Sequence, residues 1–140
     1  MLTLPKARPF EITRPISVST YDIDYAGHVS NISYFRWLED MRLQVLAEYC
    51  PMDTLMADGF MPILAGSQIQ YKRAIKLFDK PVGHMWIGGI TAATMTFNAE
   101  IKVEGEVYTI ASHQGLFISV ETQKPTRLPA RIVNLYKELV

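Results

Sequence analysis

At 140 residues the chain suits one domain with a core of useful size, and we read residues 1–140 as a single domain. Apolar residues make up 49% of it and charged residues 20%, as in ordinary globular proteins. Its 14 Lys and Arg balance its 14 Asp and Glu, so bulk charge gives no reason to expect nucleic acid or an anionic membrane as a partner.

A lone cysteine, Cys50, excludes an internal disulfide and a multi-cysteine zinc site. No apolar run approaches the roughly 18 residues of a membrane span. Residues 1–10 lack the apolar block of a signal peptide, which makes the cytoplasm the expected location.

Residues 1–8 read as an arm. From residue 10 to residue 22 a partial alternation sets Ile16 and Val18 on one face. Pro15 implies a strand that begins after it or lies at an edge. That strand is expected to end near Asp24, where Ala26-Gly27-His28 turns the chain.

The clearest helix covers residues 31–49. Tyr34, Leu38, Met41, Val45 and Tyr49 recur at steps of three or four, and Phe35 and Trp37 widen the stripe. Ser30 or Asn31 can cap its start, and Pro51 ends it. Such a helix is about 28 Å long, enough to cross a small domain.

After a loop or half-helix over residues 51–59, the pattern is strand after strand. Residues 63–71 form the first, with Lys72-Arg73-Ala74-Ile75-Lys76 continuing or ending it. Residues 82–92 and 94–103 form two more, and Glu104-Gly105 turns tightly into the longest, residues 106–120. A loop over residues 122–126 leads to a short closing helix over residues 129–139. Short connections imply antiparallel pairing, and only the 19-residue helix is large enough to cover one face of the sheet. The layout is α+β.

Two acidic residues stand where the first strand meets the long helix, in Tyr21-Asp22-Ile23-Asp24-Tyr25-Ala26-Gly27-His28-Val29-Ser30-Asn31. A helix start presents unpaired N–H donors and roughly half a unit of positive charge. A carboxylate beside it can serve acyl chemistry. Asp22-x-Asp24-x-x-Gly27-His28-Val29-x-Asn31, followed by Tyr34-Phe35-x-Trp37-Leu38-Glu39, resembles the 4-hydroxybenzoyl-CoA thioesterase family of hotdog-fold proteins. The resemblance covers about residues 14–122.

That resemblance implies a curled antiparallel sheet of about five strands wrapped around one long central helix. It implies an acyl-CoA thioesterase that works as a homodimer or homotetramer, with CoA present only as part of the substrate. Asp24 matches the catalytic carboxylate, acting as nucleophile or as general base on water. The amide at Asn31 matches the donor that polarises the thioester carbonyl, and Gly27 allows the turn that joins the two. His28 matches the histidine of the motif, near the thioester. Glu39 lies where related enzymes contact the acyl group across a subunit interface, and Tyr25 belongs with the substrate-binding residues.

Two departures stand out. Ser30 replaces a frequent asparagine. Ile90-Thr-Ala-Ala-Thr94 carries no basic residue where some relatives hold the CoA phosphates, so the alternative grip is Lys72, Arg73 and Lys76, or another subunit. Whether the carrier is CoA or an acyl-carrier protein stays open. No metal ligand set appears in the sequence, so metal-assisted hydrolysis is not expected.

Structural roles compete for each of these residues. Asp suits turns and caps, Asp22 reads as structural, and His28 suits the turn itself. Glu39 suits a solvated helix face, and Lys72-Arg73 a solvated strand end. Met52, Met56, Met61 and Phe60 suit core packing or a flexible acyl pocket. A non-catalytic acyl-binding or carrier-binding module is the main functional alternative. A hydroxyacyl dehydratase would need a histidine as its main base, and the only well-placed histidine is inside the turn.

Overall fold

The computed structural model describes residue 2 and residues 8–140. The arm expected over residues 1–8 therefore lies outside the described residues except for Leu2 and Arg8. The Leu2 N–H donates to Gln70 Oε1 at 3.3 Å. Arg8 lies over the Trp86 ring, 4.0 Å from its centroid, and pairs with Glu11 and Glu100.

The elements in chain order are β1 (Ile12–Pro15), a 3-10 turn (Thr20–Asp22), α1 (Asn31–Tyr49), α2 (Met52–Ala57), β2 (Phe60–Tyr71), β3 (Val82–Ile90), β4 (Thr94–Val103), β5 (Glu106–Ser119), β6 (Pro125–Thr126) and α3 (Ala130–Leu139). All pairings are antiparallel, in the order β1-β3-β4-β5-β2, with the two-residue β6 added against β5. The register shifts between Leu64 and Gly66, between Ile87 and Gly89, and between Ile101 and Lys102. Such bulges bend a strand and sharpen its twist, which curls the sheet.

The long helix begins and ends where its signals predict. Ser30 is the cap, its Oγ accepting from the Ser33 N–H at 3.4 Å. The helix stops at Cys50 before Pro51. Leu38, Met41 and Val45 on its inner face are fully buried in the same core cluster as Ile12, Met85, Ile87 and Ile101 of the sheet. The α3 helix adds Ile132 to the same core. No helix among the described residues is long and apolar enough to cross a membrane.

Two expectations need correction. Of the two alternatives that Pro15 leaves, the edge position holds and a start after it does not: β1 ends on the proline, at the sheet edge where it costs no ladder bond. The stretch expected to continue that strand towards Asp24 instead makes the 3-10 turn, held by the Asp22 N–H donating to Ser19 O at 2.9 Å. The connection between β2 and β3 is likewise not a hairpin. The two strands lie at different places in the sheet, and residues 72–81 carry the chain across. This crossover passes beside the start of α1, where the Val29 N–H donates to Ile75 O at 2.9 Å.

Candidate active site

Asp24 organises the loop that leads into α1. Ile23 and Val29 form an isolated antiparallel bridge. Inside it the Asp24 N–H donates to His28 O at 2.8 Å, and the Gly27 N–H donates to Asp24 O at 3.0 Å. Asp24 Oδ1 accepts from the N–H groups of Ala26 at 2.9 Å and His28 at 3.2 Å, a local side-chain bond that Asp readily makes. Gly27 closes the turn at φ 80°. Helical left-handed geometry of that kind costs a residue with a Cβ about 1–2 kcal/mol.

Asp22 has a different job. It is buried, with Oδ1 accepting from the Ser33 hydroxyl at 2.7 Å and Oδ2 from the Ser19 N–H at 2.8 Å. Both oxygens are thereby committed to joining the 3-10 turn to the first turn of α1. The Ser30 N–H also donates to Asp22 O at 2.8 Å. This tie orients the helix start.

A cavity of about 240 Å³ opens at that start and brings Asp24, His28 and Asn31 together with Lys72 and Arg73. Asn31 is the first helical residue, so its N–H has no intrahelical acceptor and lies at the positive end of the helix dipole. Tyr34 and Tyr71 also line the cavity, edge to face with ring centroids 4.9 Å apart. Burial raises both phenols above their ordinary pKa, so both stay neutral donors.

A second cavity of about 490 Å³ shares His28 and Arg73 and adds Lys76. Arg73 lies over Tyr108, 4.7 Å from the ring centroid, and pairs with Glu106. Both partners of that pair are mostly exposed, so water screens the attraction and an anion can compete for the guanidinium. Lys72, Arg73 and Lys76 thus border two cavities that meet at His28.

Two of the residues named from sequence lie elsewhere. Tyr25 is fully exposed at the loop tip, outside the Asp24 cavity. Glu39, two turns along α1, borders a different cavity of about 290 Å³, between the helix and β2, β4 and β5. Met52 also borders that cavity. Phe60 packs against the core and Met56 is exposed.

Sequence reasoning missed Tyr71, whose only signal was its place just before Lys72-Arg73. It also missed the contact between Arg42 and His113 at 2.9 Å, which joins α1 to β5 and which no spacing rule reveals.

A family profile described as the thioesterase-like superfamily matches residues 18–135. Among solved structures, a DHNA-CoA thioesterase from Staphylococcus aureus is similar at 20% identity and TM-score 0.82, over 91% of this chain and 89% of that one. A 1,4-dihydroxy-2-naphthoyl-CoA thioesterase from Synechocystis is similar at 16% identity and TM-score 0.80, over 92% and 97%. A thioesterase from Thermus thermophilus, solved with coenzyme A and Zn, is similar at 21% identity and TM-score 0.81, over 96% of each chain. At these identities the structural likeness speaks for the hotdog fold alone. No match was found among curated proteins.

Proposed function

This chain belongs to the thioesterase-like superfamily, and from that premise we propose that it hydrolyses an acyl-CoA thioester to the free acid and CoA. The observation that carries this reading is the meeting of Asp24, His28 and Asn31 with Lys72 and Arg73 around one cavity at the start of α1. Hydrolysis develops negative charge on the carbonyl oxygen, and the Asn31 N–H can stabilise it with little reorganisation. The Asp24 carboxylate then attacks the carbonyl carbon itself or takes a proton from an attacking water. His28 stands beside the thioester, and Lys72, Arg73 and Lys76 hold the CoA phosphates as charge-assisted donors. Within the superfamily, the run from Asp22 to Glu39 favours the 4-hydroxybenzoyl-CoA thioesterase branch.

A second copy of the chain completes the site. The outer edge of the 12-residue β2 has no strand beside it among the described residues, and Ile63 and Leu64 on it are exposed. An unpaired edge of this kind invites a partner strand. The Asp24 cavity sits at the C-terminal end of β2 and the Glu39 cavity at its N-terminal end. The seven residue steps from Leu64 to Tyr71 span about 23 Å. Two-fold antiparallel pairing of β2 with its copy lays one end beside the other and brings Glu39 of one protomer towards the acyl group held by its partner. Sedimentation at micromolar concentration is expected to show a dimer or tetramer. A monomer that still hydrolysed thioesters would overturn this arrangement.

The test of the reaction is thiol release from benzoyl-, hydroxybenzoyl-, short- and long-chain acyl-CoA. Turnover of at least one is expected. Cys50 is buried and burial raises its thiol pKa, so its background reaction with the thiol reagent should be slow, and an enzyme-only blank measures it. No release from any acyl-CoA, nor from acyl-carrier thioesters, would leave the non-catalytic binding module. One observation favours that second reading: Asp24 Oδ1 is already occupied by two loop N–H groups.

A further inference from the structure

The cavity between α1 and β2 is mostly apolar, walled by Leu43, Leu46, Met95, Phe97 and Phe117, with Glu39 and Arg42 as its charged members. At about 30 Å³ per group, the share of a water in the liquid, its 290 Å³ holds roughly ten methylene-sized units. Arg42 is the unusual wall residue. Its side chain is only 16% exposed, and its nearest carboxylate is Glu39 at 3.9 Å, whose own side chain is 64% exposed. A pair at that distance and exposure is screened by water and leaves the guanidinium largely uncompensated. A half-buried cation next to apolar walls is costly without an anionic partner.

A second observation concerns the neighbour of Arg42, His113, which does not itself line the cavity. Arg42 donates to Nδ1 of His113 at 2.9 Å, which requires that nitrogen to be unprotonated and puts the ring hydrogen on Nε2. Burial and the adjacent guanidinium push the imidazole down to about 4, so it stays neutral at physiological pH and cannot act as a counter-ion or a base. Nε2 is fully buried and has no acceptor among the described residues. The Phe35 ring stacks on the imidazole at 6.1 Å. The Arg42–His113 pair therefore holds a surplus of donors and positive charge, with only the exposed Glu39 carboxylate at 3.9 Å beside it among the described residues.

We infer that this cavity binds an apolar chain ending in a carboxylate, with the carboxylate on Arg42 and the chain along Leu43, Leu46 and Phe117. The carboxylate has two sources: a free carboxylic acid, or the far end of an acyl group whose thioester sits at the Asp24 cavity of the partner. In the second case the inference rests on the thioesterase reading and names a substrate class, the ω-carboxyacyl thioesters. The binding arm of the test is independent of that reading.

Octanoate and octanol titrated calorimetrically into the protein separate charge recognition from apolar filling. Octanoate is expected to bind at least about tenfold more tightly, the least that a charge-assisted pair of this kind supplies. Arg42→Met, which keeps the apolar stem, should abolish the preference, and Arg42→Lys should retain part of it. Equal affinity for both ligands in the wild type, or a preference that survives Arg42→Met, overturns the inference. Hydrolysis of suberoyl-CoA against octanoyl-CoA then identifies the source. A suberoyl preference lost in Arg42→Met supports the distal carboxylate, and no preference alongside octanoate binding supports the free acid. Octanoate binding with no turnover of any thioester sinks the enzymatic reading and keeps the site.

Discussion

Replacing Asp24 with Asn is expected to lower kcat/KM for the hydrolysed acyl-CoA by at least about a hundredfold, roughly 2.7 kcal/mol of transition-state stabilisation. The substitution is a clean one because of the way the loop is built. Asn keeps an oxygen in the place of Oδ1, so the bonds from Ala26 N–H and His28 N–H survive. Only the carboxylate charge and its second acceptor oxygen are lost, and these are what nucleophilic attack or activation of water requires. Unfolding measured alongside should show little change. Equal turnover in the two proteins would reduce Asp24 to the residue that holds the turn. If binding of acyl-CoA persisted and neither protein turned it over, the binding-module reading would stand.

Leu38→Ala is expected to destabilise the fold by about 2–5 kcal/mol, the range for removing a fully buried leucine and leaving a cavity. Leu38 is completely buried on the inner face of α1, among side chains of the surrounding sheet. Among the described residues no other long helix fills the hollow of the curled sheet, so relaxation around the lost side chain is limited. For a chain of this size the melting temperature should fall by on the order of 10 °C. The comparison must be made at fixed protein concentration, because assembly would also raise the apparent stability. A loss below about 1 kcal/mol would mean that the sheet collapses onto the helix more easily than close packing implies.

The long helix was legible from sequence to its terminal residues, because its signals are local. The cap at Ser30, the stripe through Leu38, Met41 and Val45, and the stop before Pro51 all act within a few residues of one another. The same holds for β4 and for the Glu104-Gly105 turn, where both residues adopt positive φ. The first strand was misplaced because a partial alternation through Ile16 and Val18 looks the same in an extended loop as in a ladder. Only pairing with β3 decides, and that pairing stops at Pro15. The two-residue β6 was too short to carry any period at all.

For the candidate site, sequence alone determined one contiguous segment. From Asp22 to Asn31, turn-forming residues and a helix cap set the carboxylate beside the free N–H groups of a helix start, since each preference is settled by neighbours along the chain. Tertiary structure decided everything that depends on strands meeting. The crossover of residues 72–81, invisible as such in the pattern, brings Tyr71, Lys72 and Arg73 to Asp24 and His28. The same folding sets Glu39 in a separate cavity and places Arg42 against His113, seventy-one positions away. The physical reason is that local preferences are short-ranged, whereas which strands become neighbours follows from burying one shared apolar face around α1.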